Sequence, residues 1–274
     1  MTFRSKAGLS VITLLLVGLI GYVGMAGYLY FFQSSMVFHP KKGLDATPEQ
    51  WGMVYENAEF VSEGYRLNGW WIPGDTNRPV LLFLHGNASV LSGLRPHIEL
   101  FRRLGLGLFL FDYRGYGLSE GHPTEEGVYA DSLAAWEYVT KKQKIHEKRL
   151  IYYGQSLGGG AATWLATRHP PQALIVEGTF TSIPDVGAGR YPYLPIRLMS
   201  RIFFDNLTRI KTIHVPVLII HSLDDVVIPV QQGRILHAAA NEPKFFLETH
   251  GPHKTSFSDG GSASVDGLRR FLGF

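Results

Sequence analysis

Five uncharged apolar runs alternate with segments in which apolar residues recur at helical spacing. Continuous apolar runs of this length are typical of strands buried on both faces of a parallel sheet. The runs cover residues 80–84, 106–111, 150–153, 173–176 and 215–220. A hairpin over residues 58–72 precedes them, and a short strand at 245–248 and a helix around 265–271 follow. The pattern predicts an α/β fold with a mostly parallel, doubly wound sheet.

The N-terminus carries a longer apolar segment, in which no charged residue occurs from Leu9 to Phe32, a span of 24 positions. A helix needs about 20 apolar residues to cross the hydrocarbon core of a membrane. A cleavable signal has an apolar region of only about 7–15 residues followed by small residues, whereas this segment ends in aromatic residues such as Tyr30 and Phe31. We therefore predict an uncleaved signal-anchor helix and a single-pass membrane protein.

The anchor divides the chain into a transmembrane segment, residues 1–33, and one globular domain, residues 34–274. Arg4 and Lys6 precede the apolar segment and favour a cytoplasmic N-terminus, which places the domain on the extracytoplasmic side. Lys41 and Lys42 on the far side weaken that bias. Within the domain, an insertion over residues 182–214, rich in proline, tyrosine and arginine, predicts a small helical cap.

One motif organises the candidate chemistry, Gly154-Gln155-Ser156-Leu157-Gly158, which lies between a predicted strand and a predicted helix. In that setting G-x-S-x-G forms a sharp turn that lifts the serine hydroxyl clear of the sheet. The flanking glycines give the room that the turn needs, and the start of the helix offers free N–H groups to a developing oxyanion. We predict Ser156 as the nucleophile of a serine hydrolase.

A serine nucleophile needs a histidine as base and a carboxylate that orients the histidine, and on this type of fold they follow the serine in the order acid, then histidine. Asp224 and Asp225 both follow the strand at 215–220, and His250 and His253 both follow the last strand. We select Asp225 and His253 as the catalytic pair, with Asp224 and His250 as the alternatives.

The oxyanion hole requires two N–H donors. We predict the Leu157 N–H, directly after the nucleophile, and the Asn87 N–H, in the loop after the strand at 80–84. His85 in the same loop is expected to support it. The remaining polar residues at strand ends have expected structural roles: Asp112 and Arg114 hold their turn, and Glu177 supports a loop or contacts substrate.

Composition excludes several other classes of function. The chain has 274 residues, no cysteine and a formal net charge of +3. Without cysteine there can be no disulfide, thiolate metal site or cysteine nucleophile. Basic residues do not cluster with aromatic ones, so nucleic-acid binding is not expected. The histidines lack metal-ligand spacing, and no phosphate loop or dinucleotide fingerprint is present. We expect neither a metal nor another cofactor.

Taken together, several blocks of the chain resemble the α/β-hydrolase superfamily, and more narrowly its membrane-anchored BEM46-like branch, the ABHD12/ABHD13-type group. The blocks are His85-Gly86-Asn87-Ala88, residues 112–119, residues 121–125, residues 154–159 and Leu223-Asp224-Asp225 through Pro229. The resemblance covers residues 30–274 and implies a triad of Ser156, Asp225 and His253. The chain departs from the family pattern at Ser222, usually glycine, at Gly178, usually asparagine, and at Lys254-Thr255, often Asn-Asp.

Three functions follow as hypotheses. The leading one is a membrane-anchored hydrolase that cleaves carboxylic esters, such as lipid-like acyl esters, through an acyl-serine intermediate. The second keeps this chemistry but acts on short peptides. The third is a non-catalytic binding protein that has retained the fold. The acyl group, the leaving group and the oligomeric state are not determined by the sequence.

Overall fold

The computed structural model describes residues 3–274, with side chains from residue 11 onward. Within that range eight strands form a sheet in the order β1-β2-β4-β3-β5-β6-β7-β8. The strands are β1 Glu56–Ser62, β2 Tyr65–Ile72, β3 Val80–Leu84, β4 Gly107–Phe111, β5 Leu150–Gln155, β6 Ala173–Glu177, β7 Val217–Ser222 and β8 Lys244–Thr249. Strands β3 to β8 are parallel, whereas β1 and β2 form an antiparallel hairpin that pairs with β4. The predicted mostly parallel sheet is therefore confirmed.

Helices cover both faces of the sheet, as the doubly wound prediction requires. Alternate residues of β3 enter different cores, so that Leu82 and Leu84 pack on one face of the sheet and Leu81 and Phe83 on the other. The helices are α1 Phe3–Phe31, α2 Gln33–Val37, α3 Arg95–Arg102, α4 Glu125–Glu137, α5 Leu157–Ala166, α6 Ile183–Arg190, α7 Ile196–Met199, α8 Asn206–Ile210, α9 Val230–Ala239, α10 Ser256–Asp259 and α11 Gly261–Leu272.

Local chemistry explains where elements begin and end. Strand β3 has the predicted limits, but β7 begins two residues later than the apolar run because Pro216 has no N–H to donate to a strand ladder. Thr124 caps α4 by accepting the Gly127 N–H at 2.9 Å. Helix α4 is followed directly by a wider π-helical turn at Tyr138–Lys142.

Helix α1 is long and apolar. Its segment Val11–Phe31 has 21 residues and a mean hydropathy of 2.0, and its most apolar stretch is not buried by the rest of the chain. Arg4 and Lys6, which suggested the orientation, lie outside the residues whose side chains the structure describes. Further along, Leu29 is buried against the protein, so the end of α1 is part of the folded unit.

The insertion at 182–214 folds as predicted into short helices, α6 to α8, beside the carboxyl edge of the sheet. The C-terminal part of this insertion is held by the buried carboxylate of Glu125, which accepts the N–H groups of Phe203 and Phe204, each at 2.6 Å. Asn206 continues this attachment by donating to the Phe180 carbonyl at 2.8 Å. The base of the cap is therefore fixed to the sheet.

Candidate active site

Ser156 occupies a strained turn between β5 and α5. Its φ of 51° and ψ of −116° are unusual for a residue with a side chain. The turn is also crowded, because a Cβ on Gly158 would lie 1.9 Å from the Leu84 carbonyl oxygen, and one on Gly154 would lie 2.5 Å from the Gly158 oxygen. Only glycine fits at either position, which explains the spacing of the motif.

The loop after β8 brings His253 to this serine. Its Nε2 lies 2.9 Å from Ser156 Oγ, and its Nδ1 lies 2.5 Å from Asp225 Oδ2. The three residues are 69 and 28 positions apart in the sequence, at the carboxyl ends of β5, β7 and β8. The hydrogen bond at Nδ1 leaves Nε2 free to accept the serine hydroxyl proton.

Asp225 is held as an anion in its loop. Its other oxygen, Oδ1, accepts the N–H groups of Val227 and Ile228 at 2.8 and 2.9 Å. Burial alone would raise the pKa of this carboxyl, but the hydrogen bond from His253 and those from the two backbone groups outweigh burial and lower the pKa below its ordinary value. The carboxylate therefore stays charged opposite the histidine at neutral pH.

The two alternative residues pair with one another at the surface. His250 Nδ1 lies 3.2 Å from Asp224 Oδ2, and both side chains are largely exposed. The same oxygen accepts the Gly251 N–H at 2.9 Å, which contributes most to lowering the pKa of Asp224. The structure thus brings Asp225 and His253 to Ser156 and places Asp224 and His250 in a separate pair.

The loop after β3 passes directly over the serine. A Cβ on Gly86 would lie 3.2 Å from Ser156 Cβ, so the backbone of residues 85–88 forms one wall of the site. Leu157 begins α5, and its N–H has no carbonyl four residues earlier within the helix. The two predicted oxyanion donors, Asn87 and Leu157, therefore belong to segments that flank the serine.

A buried neutral pair supports this loop. His85 Nδ1 donates to the Gly86 carbonyl at 2.8 Å, and His85 Nε2 lies 3.5 Å from Asp112 Oδ1, which accepts the Leu91 N–H at 3.1 Å. Burial lowers the pKa of His85 to about 4 and raises the pKa of Asp112 to about 8. Both side chains are therefore uncharged at pH 7, in keeping with the predicted supporting roles.

Arg114 also has the predicted structural role. It donates to Asp131 at 2.8 Å with its Nη2 and forms a further ion pair with Glu63 at 3.0 Å. These bonds fix the turn after β4 against α4. Among the residues that the structure describes, no group of three or more potential ligands is arranged to hold a metal ion.

Glu177 lies in a buried network that the sequence did not predict. Its Oε2 accepts from Tyr153 Oη at 2.6 Å and Gln155 Nε2 at 3.0 Å, and lies 3.1 Å from His97 Nε2. The Gln155 amide also donates to the Lys254 carbonyl at 3.1 Å, which connects the residue before the serine to the residue after His253. Of the two expected roles of Glu177, this contact set favours loop support.

Ser222 is a second residue that the sequence marked only as a departure from the family pattern. Its hydroxyl donates to the Gly251 carbonyl at 2.7 Å and accepts the Asp224 N–H at 3.1 Å. It thus joins the loop that carries the acid to the loop that carries the histidine. The departure at Gly178 has a local reason as well, since its φ of 53° is one that glycine and asparagine tolerate best.

The topology and the turn at Ser156 define an α/β-hydrolase fold, and comparisons with known proteins agree. Residues 75–207 match the family model described as serine aminopeptidase, S33. The α/β hydrolase domain-containing protein WAV2 of Arabidopsis thaliana is 30% identical over 261 residues, 85% of this chain and 85% of that protein. The chain belongs to the α/β-hydrolase superfamily and is a hydrolase.

Two further likenesses are informative. The lysophosphatidylserine lipase ABHD12 of Danio rerio is 37% identical over 190 residues, which is 62% of this chain and 49% of that protein. The solved structure of the Pyrococcus furiosus esterase Pf2001 superposes with a TM-score of 0.72 and 20% identity, covering 86% of this chain and 98% of the esterase. At that identity the esterase supports the fold alone.

Proposed function

We propose that this chain is a membrane-anchored serine hydrolase that cleaves carboxylic esters, with lipid-like acyl esters as the substrate class. The observation that carries the proposal is the continuous hydrogen-bonded line from Ser156 Oγ through His253 to Asp225, at 2.9 and 2.5 Å. A hydroxyl and an imidazole at this distance can exchange a proton without further movement.

In the acylation step Ser156 Oγ attacks the ester carbonyl carbon while His253 Nε2 takes the hydroxyl proton. Asp225 accepts the Nδ1–H bond throughout and stabilises the imidazolium that forms. When the tetrahedral intermediate collapses, the imidazolium gives its proton to the departing alkoxide. Water then attacks the acyl-serine with the same histidine as base, which releases the acid and restores Ser156.

The negative charge on the carbonyl oxygen is held by the Leu157 N–H at the start of α5 and by the Asn87 N–H in the loop over the serine. Fixed donors of this kind each contribute about 10²- to 10³-fold to the rate of acyl transfer. The mechanism needs no metal and no organic cofactor, because nucleophile, base and anion site all come from the chain itself.

The substrate class and the location rest on α1 and on a relative. Helix α1 is long and apolar enough to cross a bilayer, and the similar ABHD12 protein of Danio rerio is named as a lysophosphatidylserine lipase. We place the N-terminus in the cytoplasm and the catalytic domain on the extracytoplasmic side, as a single-pass protein. Small ester or lipid-like molecules are its partners, and nucleic acid is not.

A fluorophosphonate probe tests the nucleophile directly, because it phosphonylates only an activated serine. The full-length protein should react, and Ser156→Ala should not. Ser262→Ala is the control, since Ser262 is an exposed serine of α11 outside the site, and it should react like the wild type. Equal reaction of the wild type and Ser156→Ala would refute the proposed nucleophile.

A serine peptidase is the second candidate, favoured by the description of the matching family model as a serine aminopeptidase. Ester and amide hydrolysis would use the same catalytic groups of the protein. The two functions are therefore distinguished by which substrates are turned over. A panel of acyl esters of graded chain length and of aminoacyl amides should show hydrolysis of the esters. Turnover of amides alone would favour the peptidase, and an inactive, unlabelled protein would favour a binding role.

A further inference from the structure

The part of the cap farthest from its attachment exposes apolar side chains. We call residues 191–199 the cap tip. Leu198 is 89% exposed and Tyr193 is 63% exposed, although a leucine on an isolated soluble domain gains nothing from such exposure. Exposed apolar side chains grouped on one short segment mark a surface that can contact an apolar partner.

The two N-terminal helices contact the cap tip at two levels, α1 through Tyr22 and α2 through Gln33. Tyr22 Oη donates to the Tyr193 carbonyl at 3.1 Å, and Gln33 Nε2 donates to the Met199 carbonyl at 2.7 Å. Gln33 also accepts the Arg201 N–H at 2.7 Å. Tyr22 lies in α1, and Gln33, the first residue of α2, comes 11 positions later, about 16 Å if the helical rise continues between them, so the cap tip lies beside the end of α1.

The position of Tyr22 in α1 determines how deep the cap tip lies when α1 crosses a bilayer. A bilayer core takes about 20 residues, and the uncharged segment runs from Leu9 to Phe32. Even when the span is placed as far toward the N-terminus as that segment allows, at residues 9–28, Tyr22 lies about 9 Å inside it. With α1 across a bilayer, the Tyr193 carbonyl therefore lies below the headgroups, within apolar surroundings.

Most of the backbone of the cap tip is paired within the protein, which lowers the cost of placing it in apolar surroundings. Pro192 and Pro195 have no N–H. The N–H groups that donate to backbone carbonyls include those of Tyr191, Leu194, Ile196, Leu198, Met199 and Ser200. The Tyr193 carbonyl is satisfied by Tyr22 itself.

Charge at the margins of the cap tip fits a membrane surface. Residues 182–205 contain three arginines, Arg190, Arg197 and Arg201, and two acidic residues, Asp185 and Asp205. Arg197 pairs with Asp185 at 2.9 Å, which leaves Arg190 and Arg201 as the basic groups available to lipid phosphates. Arg201 also lies over the ring of Tyr30, near the end of α1, at 5.6 Å. Long basic side chains around an apolar patch can reach the phosphate groups of lipids while their stems stay in the apolar layer.

We propose that the cap tip is inserted into the same leaflet as the end of α1, so that the carboxyl edge of the sheet faces the bilayer and Ser156 acts on ester groups at the lipid surface. In this arrangement the exposed apolar side chains of the cap tip contact the lipid bilayer. The inference rests on the proposed anchor, and it adds a second, shallow point of insertion.

Single cysteines test this insertion cleanly because the natural chain has none. A small fluorophore is attached to full-length Leu198→Cys, Leu16→Cys and Val54→Cys, each reconstituted in phosphatidylcholine–phosphatidylglycerol vesicles with and without spin-labelled lipid. Leu16 lies in α1, and Val54 is an equally apolar residue, 76% exposed, just before β1 at the opposite edge of the sheet. We expect lipid quenching at positions 16 and 198 and none at 54.

The outcomes separate the two proposals. Quenching at 16 without quenching at 198 overturns the insertion of the cap tip and leaves the anchor intact. Absence of quenching at 16 overturns the anchor and the inference with it. None of these readings depends on catalysis, so a failure of Ser156 to react with fluorophosphonate would refute the proposed chemistry alone.

Turnover gives an independent readout. Leu198→Asp should lower the rate on an ester embedded in vesicles by about tenfold, because a carboxylate is costly in the apolar layer, and should leave the rate on a soluble short-chain ester unchanged. Val54→Asp, the matched control, should change neither rate. No loss with the embedded ester, or an equal loss with both esters, would contradict the proposal.

Discussion

The Asn87 side-chain oxygen accepts a hydrogen bond from the His39 N–H at 2.8 Å. The same oxygen accepts from Tyr116 Oη at 2.9 Å, and the Asn87 amide donates to the Val37 carbonyl at 2.6 Å. One carboxamide thus joins the segment after α2 to the loop over Ser156. Residues 37–39 therefore support one wall of the candidate site, although they follow α1 almost directly.

This relationship predicts that the Asn87 side chain positions the oxyanion loop. Asn87→Ala keeps the backbone N–H but leaves the groups of Val37 and His39 without their partner, so kcat on a soluble ester should fall by about 10²-fold with little change in KM. Tyr116→Phe removes one donor and should have a smaller effect. Asn57→Ala, at an exposed asparagine of β1, is the control, and an equal loss there would rule out a specific role for Asn87.

The two adjacent aspartates should differ sharply. Asp225→Asn replaces the acceptor of the His253 Nδ1–H and should lower kcat by about 10⁴-fold. Asp224→Asn removes only an exposed pair with His250 and should leave kcat within about twofold, since surface pairs contribute little. Steady-state kinetics on one soluble ester measure both. The reverse result would assign the triad to the alternative pair.

The buried carboxyl of Asp112 should make stability depend on pH. Burial raises its pKa from 3.8 to about 8, so between these values the folded state keeps a proton that the unfolded state has lost, and stability falls as pH rises. Below pH 6.5 the lowered pKa of His85 acts in the opposite direction and offsets this fall. From pH 6.5 to 8, Asp112 alone should reduce the free energy of unfolding by about 2 kcal/mol.

Urea unfolding of the wild type and of Asp112→Asn across that pH range checks this dependence. The variant keeps an oxygen to accept the Leu91 N–H but cannot ionise, so its stability should decline less than that of the wild type by the same amount. Parallel curves for the two proteins would show that Asp112 does not titrate in this interval.

Attachment of the cap should depend on Glu125 and not on its neighbour Glu126. Glu125→Ala leaves the N–H groups of Phe203 and Phe204 without their acceptor, at a cost of about 1–3 kcal/mol for each group that stays buried. Glu126→Ala changes the exposed neighbour in the same turn of α4 and should cost less than about 0.5 kcal/mol. Denaturant unfolding would contradict the assignment if both variants lost equal stability.

The sequence predicts most of the fold because buried parallel strands are continuous apolar runs. The run at 80–84 coincides with β3, and β7 begins two residues later than its run because of Pro216 and extends two residues beyond it, to Ser222. The G-x-S-x-G turn is predictable for a similar reason, since its glycines are required by contacts within a few residues. Membrane anchoring and the boundary at residues 33 and 34 stay predictions.

The remainder of the site depends on contacts between distant residues. Neither spacing nor residue type could choose between Asp224 and Asp225, because the choice follows from how the loop after β7 turns beneath His253. The contacts of Asn87 with residues 37 and 39, about 50 positions earlier, leave no periodic signal in the sequence. The catalytic roles of Ser156, Asp225 and His253 stay predictions until the serine is tested.

The hydrogen bond between Val37 and Asn87 also limits the distance between the end of α1 and the loop over Ser156. Val37 follows Phe31 by only six positions, and a chain of that length extends over about 20 Å at most, less where α2 coils it. With α1 in a bilayer, the loop over Ser156 cannot lie farther than about 20 Å from the end of that helix. Encounters with substrate then occur by lateral diffusion in two dimensions, and turnover should follow the surface density of the ester more closely than its bulk concentration.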